Sequence, residues 1–277
     1  MSEPPARPGD LLELVTRAGE RILESYGVPG RVALKEDSSP LTLADRRAHA
    51  CLDDGLRRLA PGIPVLSEES PALAPPGGPG CDRYWLVDPL DGTKEFLKGT
   101  DEFTVNVALI EDGEPVYGIV HVPALGSTYR GRRGGGAEKA GADGRFRAIR
   151  TRRLDPDRIV VVGSRDHLGP AVEQLIRRIP PGAEFTSVGS SLKFCLVAEG
   201  VADLYIRDGP TMWWDTAAAQ CVVESAGGGV FALDRSGLDV PLRYDGAVFR
   251  NPHFCCIGDI AGPWRPVVRL AGPRDTT

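Results

Sequence analysis

Two apolar runs in the middle of the chain, residues 103–110 and 116–122, are separated by Asp112-Gly113. An Asp-Gly pair between such runs is typical of the tight turn of a β-hairpin. A short apolar run, Tyr84–Val87, precedes them, and a further strand is expected near Ser127–Arg130. The pattern therefore predicts an antiparallel sheet in the first half of the chain.

After this sheet the pattern changes to alternating strands and helices, which is typical of an α/β arrangement. Strands are expected at Ile159–Val162, Leu204–Ile206 and Val230–Ala232, and helices at Gly169–Arg178, from Gly189-Ser190-Ser191 and from Trp214-Asp215. The glycine-rich stretch Gly131–Gly144 is interpreted as a loop near a domain boundary. We therefore expect an α/β protein with an α+β amino-terminal domain, residues 1–147, and an α/β carboxyl-terminal domain, residues 148–277.

Two helices are expected before the first sheet. Asp10 is predicted to cap the first, with Glu13 completing a capping box, and an apolar stripe continues as far as Tyr26. Gly27 and Pro29 are predicted to end it. The elements expected next are a helix from about Thr42 to just before Pro61 and a strand at Val65–Leu66.

The charge of the chain excludes one class of partner. Its 277 residues have a formal net charge of −5, and no basic run is large enough to cover one face. We therefore expect no nucleic-acid polymer as a partner. The cluster Arg130, Arg132 and Arg133 lies among glycines and is interpreted as a solvated hairpin loop.

The amino terminus lacks the basic and apolar segments of a secretory signal, and no apolar run approaches the roughly 20 residues that span a bilayer. The six cysteines are scattered without a C-x-x-C pair. We therefore expect reduced thiols in a cytoplasmic protein without a transmembrane segment. These patterns leave the oligomeric state and peripheral membrane association open.

Carboxylates are the candidate metal ligands, because the four histidines form no zinc-binding spacing. Oxygen ligands suit hard cations such as Mg²⁺. In Asp88-Pro89-Leu90-Asp91 the proline would bend the chain, so that both acids and the carbonyl of Leu90 face one point. The N–H groups of Gly92 and Thr93 would then point at a phosphate. The same residues are equally typical of an ordinary turn.

Four further acids also have structural interpretations. Glu68 and Glu69 are neighbours in extended chain, so at most one of them can face a site. Asp215 is interpreted equally well as a helix cap, and Asp45 as the acidic partner of a capping box begun by Thr42. Taken singly, none of these acids predicts a metal centre.

Together, however, the acidic segments resemble a known family. Ser67-Glu68-Glu69, the segment from Trp85 to Phe96 and the segment from Trp214 to Ala218 resemble the inositol monophosphatase-like superfamily of lithium-sensitive phosphatases. Within it, residues 94–96, 102–106 and 189–200 are similar to the CysQ-type 3′(2′),5′-bisphosphate nucleotidases. The resemblance covers the chain from Asp10 to about Gly258 and implies a layered αβαβα sandwich.

The resemblance also implies roles for individual residues. The positions that match metal ligands, around two or three Mg²⁺ ions, are Glu68, Asp88, the carbonyl of Leu90, Asp91 and Asp215. Thr93 and Asp45 match the pair that orients the attacking water, with Glu68 nearby. The resemblance also implies substrate contacts by Leu90, Asp91, Gly92, Thr93 and Asp215.

Four further positions match nucleotide contacts of the family: His167, Ser190, Lys193 and Arg207. Each has a structural alternative. Ser190 is also a candidate helix cap, Lys193 a solvated helix residue, His167 a surface turn residue and Arg207 a member of a surface ion pair.

These assignments predict hydrolysis of 3′-phosphoadenosine 5′-phosphate to AMP and phosphate, with its sulfated relative as a further candidate substrate. The nearest alternative is an inositol or sugar phosphate monophosphatase on the same scaffold. A non-catalytic nucleotide sensor is disfavoured because Glu68, Asp88, Asp91 and Asp215 are all present. A structural protein that binds polyanions is disfavoured by the negative net charge.

Overall fold

The computed structural model of the protein describes residues 6–28, 33–34, 40–70, 82–163, 183–233, 240–262 and 264. The helices among them are α1 (Pro8–Leu23), α2 (Leu43–Leu59), α3 (Thr93–Lys98), α4 (Leu192–Ala198) and α5 (Trp213–Ser225). The strands of the first half are β1 (Ala33–Leu34), β2 (Pro40–Leu41), β3 (Val65–Ser67), β4 (Arg83–Asp91), β5 (Thr104–Glu111), β6 (Glu114–Val122), β7 (Ser127–Arg132), β8 (Gly136–Ala140) and β9 (Phe146–Ile149). The second half adds β10 (Val160–Gly163), β11 (Glu184–Ser187), β12 (Leu204–Arg207), β13 (Gly229–Ala232) and β14 (Phe254–Ile257).

Strands β3 to β9 form one seven-stranded sheet in chain order. Only β3 and β4 run parallel, and every later neighbour is antiparallel. The predicted turn lies between β5 and β6, where Asp112 and Gly113 both have positive φ angles. The antiparallel sheet predicted for this half is therefore confirmed.

The second sheet has five strands in the order β11-β10-β12-β14-β13. Its first three strands are parallel, while β14 runs antiparallel to both β12 and β13. Helices α1 and α2 cover one face of the first sheet, and α4 and α5 pack between the two sheets. The described residues thus build successive helix, sheet, helix and sheet layers, which confirms an α/β sandwich.

The alternation of side chains along β4 joins two of these layers. Trp85 and Val87 face the apolar core beneath α1 and α2, whereas Tyr84 and Leu86 face the core that contains α5. Since successive residues of a strand point to opposite faces, a continuous apolar run is required in a strand covered on both sides.

Helix α5 lies directly against the first sheet although it belongs to the second half of the chain. A Cβ atom on Gly118 of β6 would lie 2.2 Å from the Ala218 carbonyl oxygen, and one on Gly131 of β7 would lie 2.6 Å from that of Cys221. Only residues without a side chain allow the helix to approach so closely. This contact fixes the start of α5, and Asp215 with it, relative to the end of β4.

The predicted limits of the first helix are wrong. Helix α1 begins at Pro8 after Arg7, so Asp10 lies within its first turn and does not cap it. Proline suits this first position because its φ angle is already helical. The helix ends at Leu23, and Tyr26 lies in the following turn, where its ring packs against Phe96 and Phe103.

The prediction of a loop over residues 131–144 is also wrong. The chain reverses through a short turn after Arg132 and continues as β8, with β9 beyond it. Arg130 lies on β7, pairs with Glu138 of β8 at 2.6 Å and lies 3.8 Å from the ring centroid of Phe146 on β9. Cross-strand pairing of this kind stabilises polar edge strands that show no apolar alternation.

Most of the remaining predicted elements differ by one or two residues, but β4 continues four residues beyond Val87 and α4 begins three residues after Gly189. The helix predicted at 169–178 lies outside the described residues. Thr42 caps α2 in the predicted capping box with Asp45. None of the helices in the described part of the chain is long and apolar enough to cross a membrane. The two-domain division stays a prediction, and β9 crosses the proposed boundary after residue 147.

His121 lies buried on β6 beneath α1. Its Nδ1 atom hydrogen-bonds with the hydroxyl of Thr128 at 2.9 Å, and a Cβ atom on Gly19 would lie 2.8 Å from its ring. Burial lowers the pKa of His121 to about 4. Between pH 6.5 and 4 the unfolded chain therefore binds a proton that the folded protein does not accept, so stability falls as the pH decreases.

We expect this histidine to remove about 2 kcal/mol from the free energy of unfolding between pH 7 and pH 5. Urea unfolding at the two pH values should show a smaller pH-dependent loss for His121→Gln than for the wild type. His253→Gln, at an exposed position, is the matched control and should retain the full loss. Equal pH dependence in His121→Gln and the wild type would contradict the assignment.

Candidate metal centre

Three carboxylates from the two halves of the chain meet in one cleft. Oxygen atoms of Asp88, Asp91 and Asp215 all lie within 4.8 Å of one another. Asp88 is buried, while Asp91 and Asp215 are partly exposed. The structure therefore brings together three of the acids singled out in the sequence.

A local irregularity at the end of β4 directs its two acids to the same place. The pairing of β4 with β5 shifts register between Asp88 and Asp91, so these residues do not follow the regular alternation of a strand. The N–H group of Leu90 donates to Asp88 Oδ1 at 3.0 Å. Gly92 then turns the chain with a φ of 88°, and α3 begins at Thr93. The turn and the acidic site are thus the same structure.

Asp215 reaches this cleft from the first turn of α5. Its Oδ2 atom accepts the N–H group of Met212 at 2.8 Å, which is the hydrogen bond expected of an acid near a helix start. Met212 is the N-cap residue, so the interpretation of Asp215 as the cap itself is wrong: Asp215 lies in the first turn and accepts the N–H group of the cap residue. The same carboxylate belongs to the acidic cluster.

The electrostatics of the cluster favour a cation. Burial raises the pKa of Asp215 well above its usual range, and the charges of Asp91 and Glu68 raise it further. Burial also raises the pKa of Asp91, although Lys193 and the N–H group of Ser191 oppose this shift. A hard divalent cation would relieve this repulsion, and an all-oxygen donor set suits such an ion.

Glu68 follows β3 directly and is anchored by its own N–H group, which donates to the Val87 carbonyl at 3.1 Å. Its charge raises the pKa of Asp215. Glu68 thus follows the strand that pairs with β4, while the acids whose oxygens lie within 4.8 Å of one another are Asp88, Asp91 and Asp215.

Asp45 and Thr93 form a second polar group beside the cluster. The Oδ2 atom of Asp45 accepts the N–H group of Thr42 at 2.7 Å and its hydroxyl at 2.5 Å. The other oxygen, Oδ1, faces the Thr93 hydroxyl at 3.4 Å. The capping box therefore orients Asp45 so that its second oxygen is directed at Thr93.

Lys193 and Ser190 border the cleft at the start of α4. Lys193 is only 5% exposed, so its interpretation as a solvated helix residue is wrong. Its Nζ atom donates to the carbonyls of Ser190 (2.6 Å) and Val188 (3.2 Å). Burial lowers its pKa to about 8, opposed by the charge of Asp91. Ser190 lies against the Gly92 turn, since a Cβ atom on Gly92 would lie 3.2 Å from the Cβ atom of Ser190.

Arg207 ends β12 on the same side, where its charge lowers the pKa of both Lys193 and Asp215. Its guanidinium donates to the Pro210 carbonyl at 3.2 Å, and its Nε atom is buried without a partner among the described residues. Within that part of the chain Arg207 makes no ion pair, so its alternative interpretation as a member of a surface ion pair is not supported there. His167 lies outside the described residues.

Three polar residues of the site were not identified in the sequence: Thr104, Asn106 and Ser191. Thr104 and Asn106 lie opposite Asp91 and Asp88 in the β4–β5 ladder, and all three are buried. A Thr-x-Asn spacing inside an otherwise apolar strand was a usable signal, because polar side chains rarely lie in a covered strand without a partner.

The cluster predicts a measurable response to Mg²⁺. We expect the melting temperature of the wild type to rise with Mg²⁺ concentration. In Asp215→Asn, the Mg²⁺ concentration that gives half of this rise should increase more than about tenfold. The metal-free variant should be at least as stable as the wild type, because the substitution removes a buried ionisable group. Asp10→Asn, an exposed acid on α1, is the control. A wild-type Mg²⁺ response in Asp215→Asn would refute the metal centre.

Comparison with known proteins gives concordant results. Residues 10–252 match the inositol monophosphatase family. The 3′(2′),5′-bisphosphate nucleotidase CysQ of Escherichia coli strain K12 is 43% identical over 251 residues, which cover 87% of this chain and 96% of that protein. CysQ from Bacteroides thetaiotaomicron superposes with a TM-score of 0.78 at 37% identity, over 90% of this chain and 96% of that one.

An inositol monophosphatase from Zymomonas mobilis also superposes, with a TM-score of 0.74 at 25% identity, over 95% of this chain and 98% of that one. The family match includes every acid of the cluster and all of the described strands except β14. This chain therefore belongs to the inositol monophosphatase family, whose members depend on metal ions.

Proposed function

We propose that this chain is a Mg²⁺-dependent phosphatase that hydrolyses 3′-phosphoadenosine 5′-phosphate to AMP and phosphate. The activity named for the Escherichia coli relative, 3′(2′),5′-bisphosphate nucleotidase, supports this substrate class. The observation that carries the proposal is the direct hydrogen bond between Asp91 and the N–H group of Ser191 (2.5 Å). It joins the acidic cluster to the start of α4, where Ser190 and Lys193 offer anion-binding groups.

The residues that would hold two or three Mg²⁺ ions are Glu68, Asp88, Asp91, Asp215 and the carbonyl of Leu90. Bound Mg²⁺ would supply positive charge that acidifies a water molecule and neutralises the phosphate. The donor set supports this assignment, because all its atoms are oxygens and hard cations prefer them.

Thr93 and Asp45 would orient the attacking water. The Thr93 hydroxyl lies within reach of two acceptors, Asp45 Oδ1 at 3.4 Å and the Leu90 carbonyl at 3.3 Å. Because its own proton is directed at these acceptors, its oxygen lone pairs are available to a water in the cleft. The water can pass a proton to Thr93 Oγ1 while the Thr93 proton moves to Asp45 Oδ1.

The α4 side of the cleft would bind the nucleotide. Lys193 provides a positive charge, and the αL conformation of Ser190, with φ of 48°, holds the loop against the Gly92 turn. The guanidinium of Arg207 adds a second positive charge on this side. We extend the proposal to His167, to the N–H groups of Gly92 and Thr93, and to the sulfated relative as a second substrate.

An inositol or sugar phosphate monophosphatase is the second candidate, since the Zymomonas mobilis relative uses the same fold. The acidic cluster does not distinguish the two. The positive charges of the buried Lys193 and of Arg207 favour a substrate with a second phosphate group, in addition to the one that the acidic cluster would hold through its metal ions. A sensor without activity has no support from the cluster, which retains every acid.

The proposal includes a reducing, cytoplasmic location. Cys51, Cys195, Cys221, Cys255 and Cys256 are all free thiols, and all but Cys51 are buried. Unpaired thiols of this number are typical of reducing compartments. Cys81 lies outside the described residues.

A substrate panel tests the proposed function. Phosphate release with Mg²⁺ should show a kcat/KM for 3′-phosphoadenosine 5′-phosphate at least about tenfold above that for inositol 1-phosphate or fructose 1,6-bisphosphate. The reason is that inositol 1-phosphate lacks a second phosphate for the basic groups of α4 and β12, and fructose 1,6-bisphosphate lacks the nucleoside. Equal or better turnover of inositol 1-phosphate would overturn the substrate assignment.

Thr93 tests the proposed water-orienting pair. Thr93→Val keeps the shape of the side chain but removes the hydroxyl, so kcat should fall by about 10²-fold or more with little change in substrate KM. Thr93→Ser restores the hydroxyl and should stay within about tenfold of the wild type. Steady-state kinetics at saturating Mg²⁺ measure both, and a Val variant with near-normal kcat would exclude this role.

A further inference from the structure

Ser191 makes contacts that the proposed function does not yet use. It is the N-cap residue of α4 and only 1% exposed. Its N–H group donates to Asp91 Oδ2 at 2.5 Å, so it contacts a carboxylate of the acidic cluster directly. This hydrogen bond crosses between the two halves of the chain, from the helix that carries Lys193 to the end of β4.

The hydroxyl of Ser191 continues the contact into β5. It lies 2.8 Å from the Thr104 hydroxyl and donates to Asn106 Oδ1 at 2.8 Å. Because the Asn106 oxygen receives this proton, the opposite end of its amide is the NH₂ group. The three side chains form a buried chain of hydrogen bonds in the order Thr104, Ser191, Asn106.

The NH₂ group of Asn106 is the unsatisfied end of this chain. Asn106 is 1% exposed, and its Nδ2 atom makes no hydrogen bond within the described residues. Asn106 is the ladder partner of Asp88, so its side chain lies on the same face of the sheet as that acid. A buried donor without a partner destabilises the folded protein, so its retention requires a reason. The neighbouring acidic cluster provides this reason, since its carboxylates are acceptors for the NH₂ group.

We propose that Ser191 and Asn106 are positioning residues of the metal centre. Ser191 holds one oxygen of Asp91 through its N–H group, and through its hydroxyl it turns the Asn106 amide so that the NH₂ group faces the carboxylates. Ser191 and Asn106 thereby hold Asp91 in place for cation binding without being metal ligands themselves. The inference rests on the proposed metal centre and adds that its affinity for metal depends on α4.

Ser191→Ala tests the hydroxyl while leaving the N–H group in place. Its effect is measured as Mg²⁺ binding by titration calorimetry of the full chain without substrate. Removing such a supporting contact should weaken Mg²⁺ binding about tenfold or more. Ser127→Ala, whose hydroxyl bonds only the nearby Leu125 carbonyl among the described residues, is the matched control and should bind Mg²⁺ like the wild type.

Asn106→Leu provides a second test, because it removes the amide and leaves α4 intact. It should weaken Mg²⁺ binding in the same direction, with a metal-free melting temperature that differs little from the wild type. Mg²⁺ binding within twofold of the wild type in a folded variant overturns the proposal. Loss of folding in both variants also overturns it, since the chain would then serve stability alone. A wild-type protein that binds no Mg²⁺ would instead refute the proposed function.

Discussion

Asp88, Asp91 and Asp215 place carboxylate oxygens within 4.8 Å of one another, in a cleft where burial already raises the pKa of two of them. Like charges at that distance repel strongly when water is largely excluded. A folded chain keeps such a cluster only when other contacts hold it together or when a cation compensates it. Much of the surrounding structure serves the first of these purposes.

The two halves of the chain are locked together around this cluster. Gly118 and Gly131 let α5 lie on the first sheet, which brings Asp215 to the end of β4. Ser191 makes the second connection, from α4 to Asp91. The position of the acids therefore depends on packing between residues more than 80 positions apart.

Much of this could be predicted from the sequence. The alternating and continuous apolar runs predicted the strands, and Thr42 with Asp45 predicted the start of α2, because these signals are local. The turn at Asp88–Thr93 remained ambiguous until the resemblance to a family was recognised. Both interpretations proved compatible, since the same residues form a turn and carry the acids.

The missed features depend on contacts between distant residues. Strands β8 and β9 are short and polar, and the pairing of Arg130 with Glu138 and Phe146 stabilises them in a way that no local pattern shows. Similarly, the partners of Ser191 lie 85 and 87 residues away along the chain. Serine at a helix start is ordinary, so its contact with Asn106 appears only once α4 is packed against β5.

The central claim is that the three aspartates form a binding site for divalent cations. Crystals soaked in Mn²⁺, which replaces Mg²⁺ at oxygen sites and scatters anomalously, test it directly. The account predicts an anomalous difference peak in contact with Asp88, Asp91 and Asp215. A fully active enzyme whose crystals show Mn²⁺ elsewhere, and none between these carboxylates, would contradict it.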